Sequence, residues 1–107
     1  MKEINANQIE FQETSSRNRF YSVIESLLFV SGEPVGLSEI SRIIGCSLEF
    51  TGSILGEMLE KYRAEDRGIR IISHEGCYSF ATKPENSPFV EELLGLNARQ
   101  SLSQAAL

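Results

Sequence analysis

The chain has 107 residues, which fits one domain with tails, and its 41% hydrophobic content is ordinary for a small globular core. Its net charge of −5 and its pI near 4.9 disfavour a broad phosphate-binding surface, because nucleic-acid affinity depends on Lys and Arg. Lys2 is followed by no apolar segment of the secretory type, and no apolar run is long enough to cross a bilayer. These features predict a cytoplasmic protein.

Residues 1–18 are mostly polar, so we expect an N-terminal tail ahead of the first helix. The segment from Phe20 to Val30 is the longest apolar run, and its spacing predicts a helix that ends near Ser31. Apolar residues surround most of this helix, which is typical of a helix that is buried on more than one side. We therefore expect it to form the centre of the domain.

A short second helix follows the first. Pro34 separates the two, and Val35 is expected in an extended link. The second helix begins at Gly36 or Ser38 and ends at Gly45, because glycine is the residue that most often follows a helix C-terminus.

A third helix begins after Ser47, a good N-cap residue, and runs to about Ala64. Gly52 and Gly56 each lower its helix propensity by roughly 1 kcal/mol relative to Ala, so we expect close packing beside them. One arc of this helix is predicted to face the core: Leu48, Thr51, Leu55, Met58, Leu59 and Tyr62.

Two strand-like segments come next. Ile69–His74 is rich in β-branched residues, and Cys77–Thr82 alternates in polarity across a tight turn at Glu75-Gly76, which together predict a β-hairpin. Pro88 can open a last short helix, which Gly95 ends.

The order of these elements predicts an α+β, mostly α fold of the winged helix-turn-helix type: three helices, a two-stranded wing and a short C-terminal helix. We divide the chain into a tail at 1–18, a winged-helix domain at 19–95, and a segment at 96–107 that links to the cut-off start of a second winged-helix domain. The predicted core centres on Ile24, Leu27, Ile40, Ile44, Leu55, Met58 and Ile71.

A DNA-binding winged helix places its third helix in the major groove. Here the outer side of that helix carries Glu49, Glu57 and Glu60 against the single cation Lys61, and Arg70 is the cation of the wing. Carboxylates repel phosphates, so we expect weak, non-specific DNA binding at most. A winged-helix DNA-binding transcriptional regulator is the alternative function.

Several apolar residues lie outside the predicted core positions. Phe50 and Ile54 are one turn apart on the outer side of the third helix, and two such neighbours suggest a contact patch. The rival interpretation is that Phe29 belongs to the core and that the wing or the second helix covers Phe50. The hypothetical dimer or partner interface consists of Tyr21, Leu28, Phe29, Phe50 and Ile54.

The sequence offers little that points to catalysis or cofactor binding. His74 stands without a cluster of Cys, His or carboxylate residues, and Cys46 and Cys77 have no metal-like spacing. We expect the two cysteines to be reduced and the protein to have no catalytic residue, metal, cofactor or small-molecule substrate.

Several stretches resemble one known family. Residues 24–34, reading IESLLFVSGEP, are similar to the opening of segregation and condensation protein B, the bacterial ScpB family. Further stretches agree in the same order: residues 43–45 (IIG), 67–71 (RGIRI), 78–85 (YSFATKPE), 88–94 (PFVEELL) and 102–107 (LSQAAL). The chain departs from the family pattern at Phe50 and Gly52, where charged or helix-forming residues are usual.

The resemblance implies a non-enzymatic, dimeric subunit of the SMC condensin complex. Such subunits join the kleisin ScpA and support chromosome condensation and segregation at the nucleoid. In this family the N-terminal domain is associated with self-dimerisation and the C-terminal domain with the kleisin. We therefore expect a homodimer whose kleisin surface lies mostly in a second domain, with no specific nucleic acid and no membrane among its partners.

Overall fold

The computed structural model describes the backbone of residues 6–95 and the side chains of residues 16–95. Its first helix, α1, spans Ala6–Ser31 and has 26 residues, so it is about 39 Å long at 1.5 Å per residue. We expected residues 1–18 to be a tail, but residues 6–18 belong to this helix. No Gly or Pro interrupts them, so the helix extends beyond its apolar part.

The helix-turn-helix consists of α2 at Leu37–Ile44 and α3 at Leu48–Lys61. Gly45 ends α2 in the left-handed conformation with φ 71°, a backbone region that suits glycine. Ser47 caps α3, because its side-chain oxygen accepts a hydrogen bond from the Phe50 N–H at 3.1 Å. Both predicted helix ends are confirmed.

A small antiparallel sheet completes the domain. Its strands are β1 at Val35–Gly36, β2 at Ile69–His74 and β3 at Cys77–Thr82, in the order β1-β3-β2. The predicted hairpin is confirmed, and its turn residues Glu75 and Gly76 both have positive φ, as a type I′ turn requires. The winged helix-turn-helix is also confirmed, but its wing gains a strand, because Val35 pairs with Tyr78 instead of forming a free link.

After the wing, a 3₁₀ turn at Pro84–Asn86 leads into helix α4 at residues 87–95. This confirms the predicted last helix. Residues 96–107, which we predict to open a second domain, lie outside the described residues.

The core lies where α1, α2, α3 and the sheet meet. Five of the seven predicted core residues are buried, and the other two, Leu27 and Ile44, are half-buried against them. The prediction for Leu48 is wrong, because this residue is 54% exposed at the first turn of α3. The buried hydrophobic residues are Ile24, Leu28, Ile40, Ile54, Leu55, Met58, Tyr62 and Ile71.

Gly52 and Gly56 do not mark a close approach between elements. A Cβ atom added at either position would meet no atom within 4 Å. The prediction of tight packing beside them is therefore wrong, and both glycines lower the helix propensity of α3 without a visible packing gain.

Candidate interaction surfaces

A polar seam fixes α1 against α3. The Glu57 carboxylate accepts hydrogen bonds from the Arg17 guanidinium, at 2.5 Å, and from the Tyr21 hydroxyl. Lys61 lies over the Tyr21 ring, with its Nζ atom 3.9 Å from the ring centroid. Burial, together with the hydrogen bond to Glu57, raises the pKa of Tyr21 above its usual value. Tyr21 is thus engaged within its own chain.

One turn further along α1, the Tyr62 hydroxyl donates a hydrogen bond to the Glu25 carboxylate. Burial of the phenol raises the pKa of Tyr62 to about 12, with a further contribution from this hydrogen bond. A phenolate would lose the bond and face a carboxylate, so the neutral form is favoured.

Phe50 packs inside the chain and does not form an outward patch. Its ring meets the Phe20 ring edge-on, with centroids 5.5 Å apart, and the Arg17 guanidinium lies 5.4 Å from its centroid. The cover for Phe50 therefore comes from α1, and neither the wing nor α2 is needed for it.

Two other members of the hypothetical interface belong to the core. Ile54 has 0% exposure and Leu28 has 4%, so both are already surrounded by their own chain. The interpretation of Ile54 as an outward residue is wrong. Its side chain is buried because α3 contacts α1, α2 and β2, so more of its surface is covered than the one arc that we predicted.

Phe29 is the member of that set that faces solvent. Its side chain is 78% exposed, and the neighbouring Val30 is similarly exposed. The rival interpretation that Phe29 belongs to the core is therefore wrong. Phe29 and the buried Leu28 are both apolar and differ locally only in the side of α1 on which they lie. Which of these sides is buried depends on where the sheet packs.

A groove runs beside Phe29, between the end of α1 and the wing. It has a volume of ≈ 410 Å³, and its apolar lining is Leu28, Phe29, Pro34, Ile69 and Phe80. A second depression of ≈ 210 Å³ shares Phe29, Ile69 and Phe80 and adds Glu25. We call the two depressions together the Phe29 groove. Sequence reasoning identified Phe29 but missed Ile69 and Phe80 of the wing, which line the groove with it and are distant in the sequence.

A second exposed apolar surface lies on α4. Phe89 is 74% exposed, and Leu93 and Leu94 are also exposed. Phe89 and Leu93, at i and i+4, lie on one side of the helix, and Leu94 flanks them. We call the three residues the α4 ridge. Sequence analysis places these residues in the last short helix and assigns them no role.

The outer side of α3 carries less free negative charge than the sequence suggested. Glu57 is paired with Arg17, and Glu60 lies 3.3 Å from Arg63, while Glu49 is exposed. Pairing removes carboxylate repulsion but leaves no surplus of cations on this helix.

Among residues 16–95, whose side chains the structure describes, no group of three or more His, Cys, Asp or Glu could hold a metal ion. His74 is exposed near the wing tip and lies 3.8 Å from Glu75. No described helix combines the length and the hydropathy that a membrane crossing requires.

Comparison with known proteins gives consistent matches. A family model described as segregation and condensation complex subunit ScpB matches residues 22–107. Segregation and condensation protein B of Clostridium botulinum (strain 657 / Type Ba4) is 47% identical over 107 residues, covering 100% of this chain and 55% of the relative. That of Clostridium perfringens (strain ATCC 13124) is 48% identical over 102 residues, covering 94% of this chain and 52% of the relative. The chain thus spans about half the length of the curated relatives it matches.

Solved structures agree with the fold. A crystal structure of a dimer of an ScpB N-terminal domain complexed with an ScpA peptide matches with TM-score 0.70 and 28% identity, over 73% of this chain and 98% of that chain. A conserved hypothetical protein from Chlorobium tepidum matches with TM-score 0.68 and 30% identity, over 86% of this chain and 58% of that chain. ScpB from Mycobacterium tuberculosis matches with TM-score 0.72 over 77% of this chain and 51% of that chain, and at 23% identity it supports the fold alone.

Proposed function

This chain belongs to the segregation and condensation protein B (ScpB) family, and on that premise we propose that it is a non-enzymatic interaction module of a bacterial SMC–ScpA–ScpB complex. In this role it supports chromosome condensation and segregation in the cytoplasm, at the nucleoid. It acts by binding other protein chains, and no chemical step is assigned to any of its residues.

The observation that carries this proposal is the match to the ScpB N-terminal domain that was crystallised as a dimer with an ScpA peptide. Nearly the whole of that domain, 98%, superposes on this chain with TM-score 0.70. We infer that this chain likewise self-associates and contacts an ScpA-type kleisin. The contact with the kleisin is then not confined to a second domain, which differs from our expectation from the sequence.

Two partners require two surfaces, and the Phe29 groove and the α4 ridge are both apolar and exposed. The α4 ridge consists of exposed side chains on a helix, and helices pair by packing the side-chain ridges of one into the grooves of the other. A two-fold pair also uses the same patch twice, so a small ridge can contribute to a full interface. We therefore propose the α4 ridge for self-association, with Phe89 as its aromatic anchor.

Sedimentation of the chain over a dilution series tests this proposal. The wild-type chain is expected to be a homodimer at concentrations on the order of tens of micromolar, where a dimer with a micromolar constant is populated. Phe89→Asp should give a folded monomer, because a carboxylate would be buried at the ridge. Phe29→Asp is the matched control, since Phe29 is equally exposed but lies on α1, and it should leave the dimer intact. A wild-type chain that remains a monomer would contradict self-association.

A further inference from the structure

The Phe29 groove coincides with a gap in the sheet. β1 pairs with Cys77 and Tyr78 and then ends, whereas β3 continues to Thr82. The segment just before β1, which includes Glu33 and Pro34, lines one side of the groove, and Phe80 lines the other. The place where a longer β1 would lie beside Phe80 therefore belongs to the groove.

The hydrogen-bond pattern shows which way the backbone of Phe80 points. The Leu37 N–H donates to the Gly76 carbonyl at 2.9 Å, so these residues form a hydrogen-bonded pair of the antiparallel ladder. Such pairs recur at every second residue, so Tyr78 and Phe80 also direct their N–H and C=O groups towards the β1 side. At Phe80 these groups have no backbone partner among residues 6–95.

Side chains of a segment that paired there would meet the apolar part of the groove. In an extended segment, alternate residues point to one face. The side chains on one face of the bound segment would therefore meet the apolar lining of the groove, which includes the exposed ring of Phe29 together with Ile69 and Phe80. An aromatic side chain beside an apolar groove is the usual form of an anchor for a bound segment.

The charges around the groove have one sign. Glu25 and Glu33 are the charged residues that line its two depressions, and no Lys or Arg lines either. A bound segment that carries Lys or Arg would gain attraction from both carboxylates, and an acidic segment would be repelled.

From these features we propose that the Phe29 groove binds an extended segment of a partner protein by adding it as a strand beside Phe80. The segment has apolar side chains at alternate positions and at least one Lys or Arg. The main-chain hydrogen bonds supply affinity, and the Phe29 side of the groove selects the side chains. The inference rests on the proposed function, because an ScpA-type kleisin would supply the segment.

Binding of the ScpA-type kleisin of the same organism, and of overlapping synthetic peptides that cover it, tests the location of the site. Phe29→Asp should weaken binding by at least about tenfold, because it removes an aromatic anchor. Leu48→Asp is the matched control, because Leu48 is an exposed apolar residue of α3 that lines neither depression, and it should leave peptide binding unchanged. Circular dichroism on both variants checks that each is folded.

Amide hydrogen exchange resolved by NMR tests the strand addition. Binding of the tightest peptide should slow exchange of the Phe80 N–H. The Ala81 N–H is the internal control, because the alternation of the ladder directs Ala81 towards Arg70 on β2, so its exchange should not change. Equal exchange at Phe80 with and without peptide would overturn the strand-addition mode.

Charge reversal tests the sign of the partner. Glu33→Lys should weaken peptide binding by about two- to fivefold, the range for an exposed ion pair. Glu65→Lys, an exposed glutamate that lines neither depression, is the control and should have no effect. Tighter binding by Glu33→Lys would overturn the proposed charge of the segment.

The outcomes separate this inference from the proposed function. If the wild-type chain binds the kleisin and Phe29→Asp binds equally well, the groove inference fails and the proposed function stands. If Phe29→Asp becomes a monomer, the groove is the self-association surface and the inference is overturned. If the wild-type chain neither dimerises nor binds the kleisin, both fail.

Discussion

At the scale of single residues, the tyrosines between α1 and α3 combine packing with a carboxylate contact. Tyr62 buries its ring against the core and still reaches Glu25, which is exposed on α1. A buried hydroxyl without a partner would cost free energy, so the glutamate completes the environment that the ring requires. Tyr21 meets the same requirement through Glu57.

Because of this hydrogen bond and the burial of the Tyr62 ring, we expect the stability of the fold to decrease at alkaline pH. The pKa of Tyr62 is raised from 10.0 to about 12 on folding, so the folded chain resists losing this proton. The stabilisation is complete below about pH 10 and is lost as the pH rises towards 12. The free energy of unfolding in urea, measured at increasing pH, should therefore fall over this window.

Tyr62→Phe removes the ionisable group and should reduce that fall. It leaves Glu25 in solvent, so no carboxylate becomes buried without a partner. A variant whose stability declines as steeply as that of the wild-type chain would show that Tyr62 is not the group responsible.

At the scale of elements, the glycines of the helix-turn-helix have opposite roles. Gly45 ends α2 with φ 71°, a conformation that L-residues avoid, whereas Gly56 lies inside α3 with open space at its Cβ position. Gly45→Ala should lower the free energy of unfolding by about 1 kcal/mol. Gly56→Ala should raise it by roughly 0.5–1 kcal/mol, because alanine is the better helix former.

Urea denaturation of the two variants at one protein concentration provides the comparison. The two substitutions add the same methyl group, so they differ only in backbone conformation and surroundings. Destabilisation by Gly56→Ala would mean that α3 packs against a surface outside the described residues.

At the scale of the whole molecule, the fold is compatible with DNA binding, but the charge of α3 disfavours it. The fold is one that can place α3 in a major groove, but its exposed side carries Glu49, and Lys61 is held over the Tyr21 ring. Because phosphate contacts need free cations, mobility shifts on short DNA duplexes should show weak binding that salt abolishes and that no sequence improves.

A charge-reversed chain with Glu49→Lys and Glu60→Lys serves as the positive control and should bind more tightly through the same helix. Submicromolar, sequence-selective binding by the wild-type chain at physiological salt would instead support the alternative function of a transcriptional regulator.

Most elements of this protein follow from local signals in its sequence. Apolar spacing, the Ser47 cap, Gly45 and the Glu75-Gly76 turn act over a few residues, so each is readable without the rest of the chain. The early start of α1 was missed because polar residues neither require nor prevent a helix. The family was identified for a related reason, since short stretches in a fixed order are visible in sequence alone.

Only the tertiary structure decided which apolar residues are free. Leu28 and Phe29 are neighbours of similar hydrophobicity, yet one is buried and the other exposed, because the sheet and α2 cover one side of α1 and not the other. Phe50 and Ile54 looked external on a single helical wheel, which takes no account of a second helix packed on its flank. The pairing of Val35 with Tyr78, and so the gap beside Phe80, joins segments more than forty residues apart. Contacts at that separation depend on how the whole chain packs, and no local spacing encodes them.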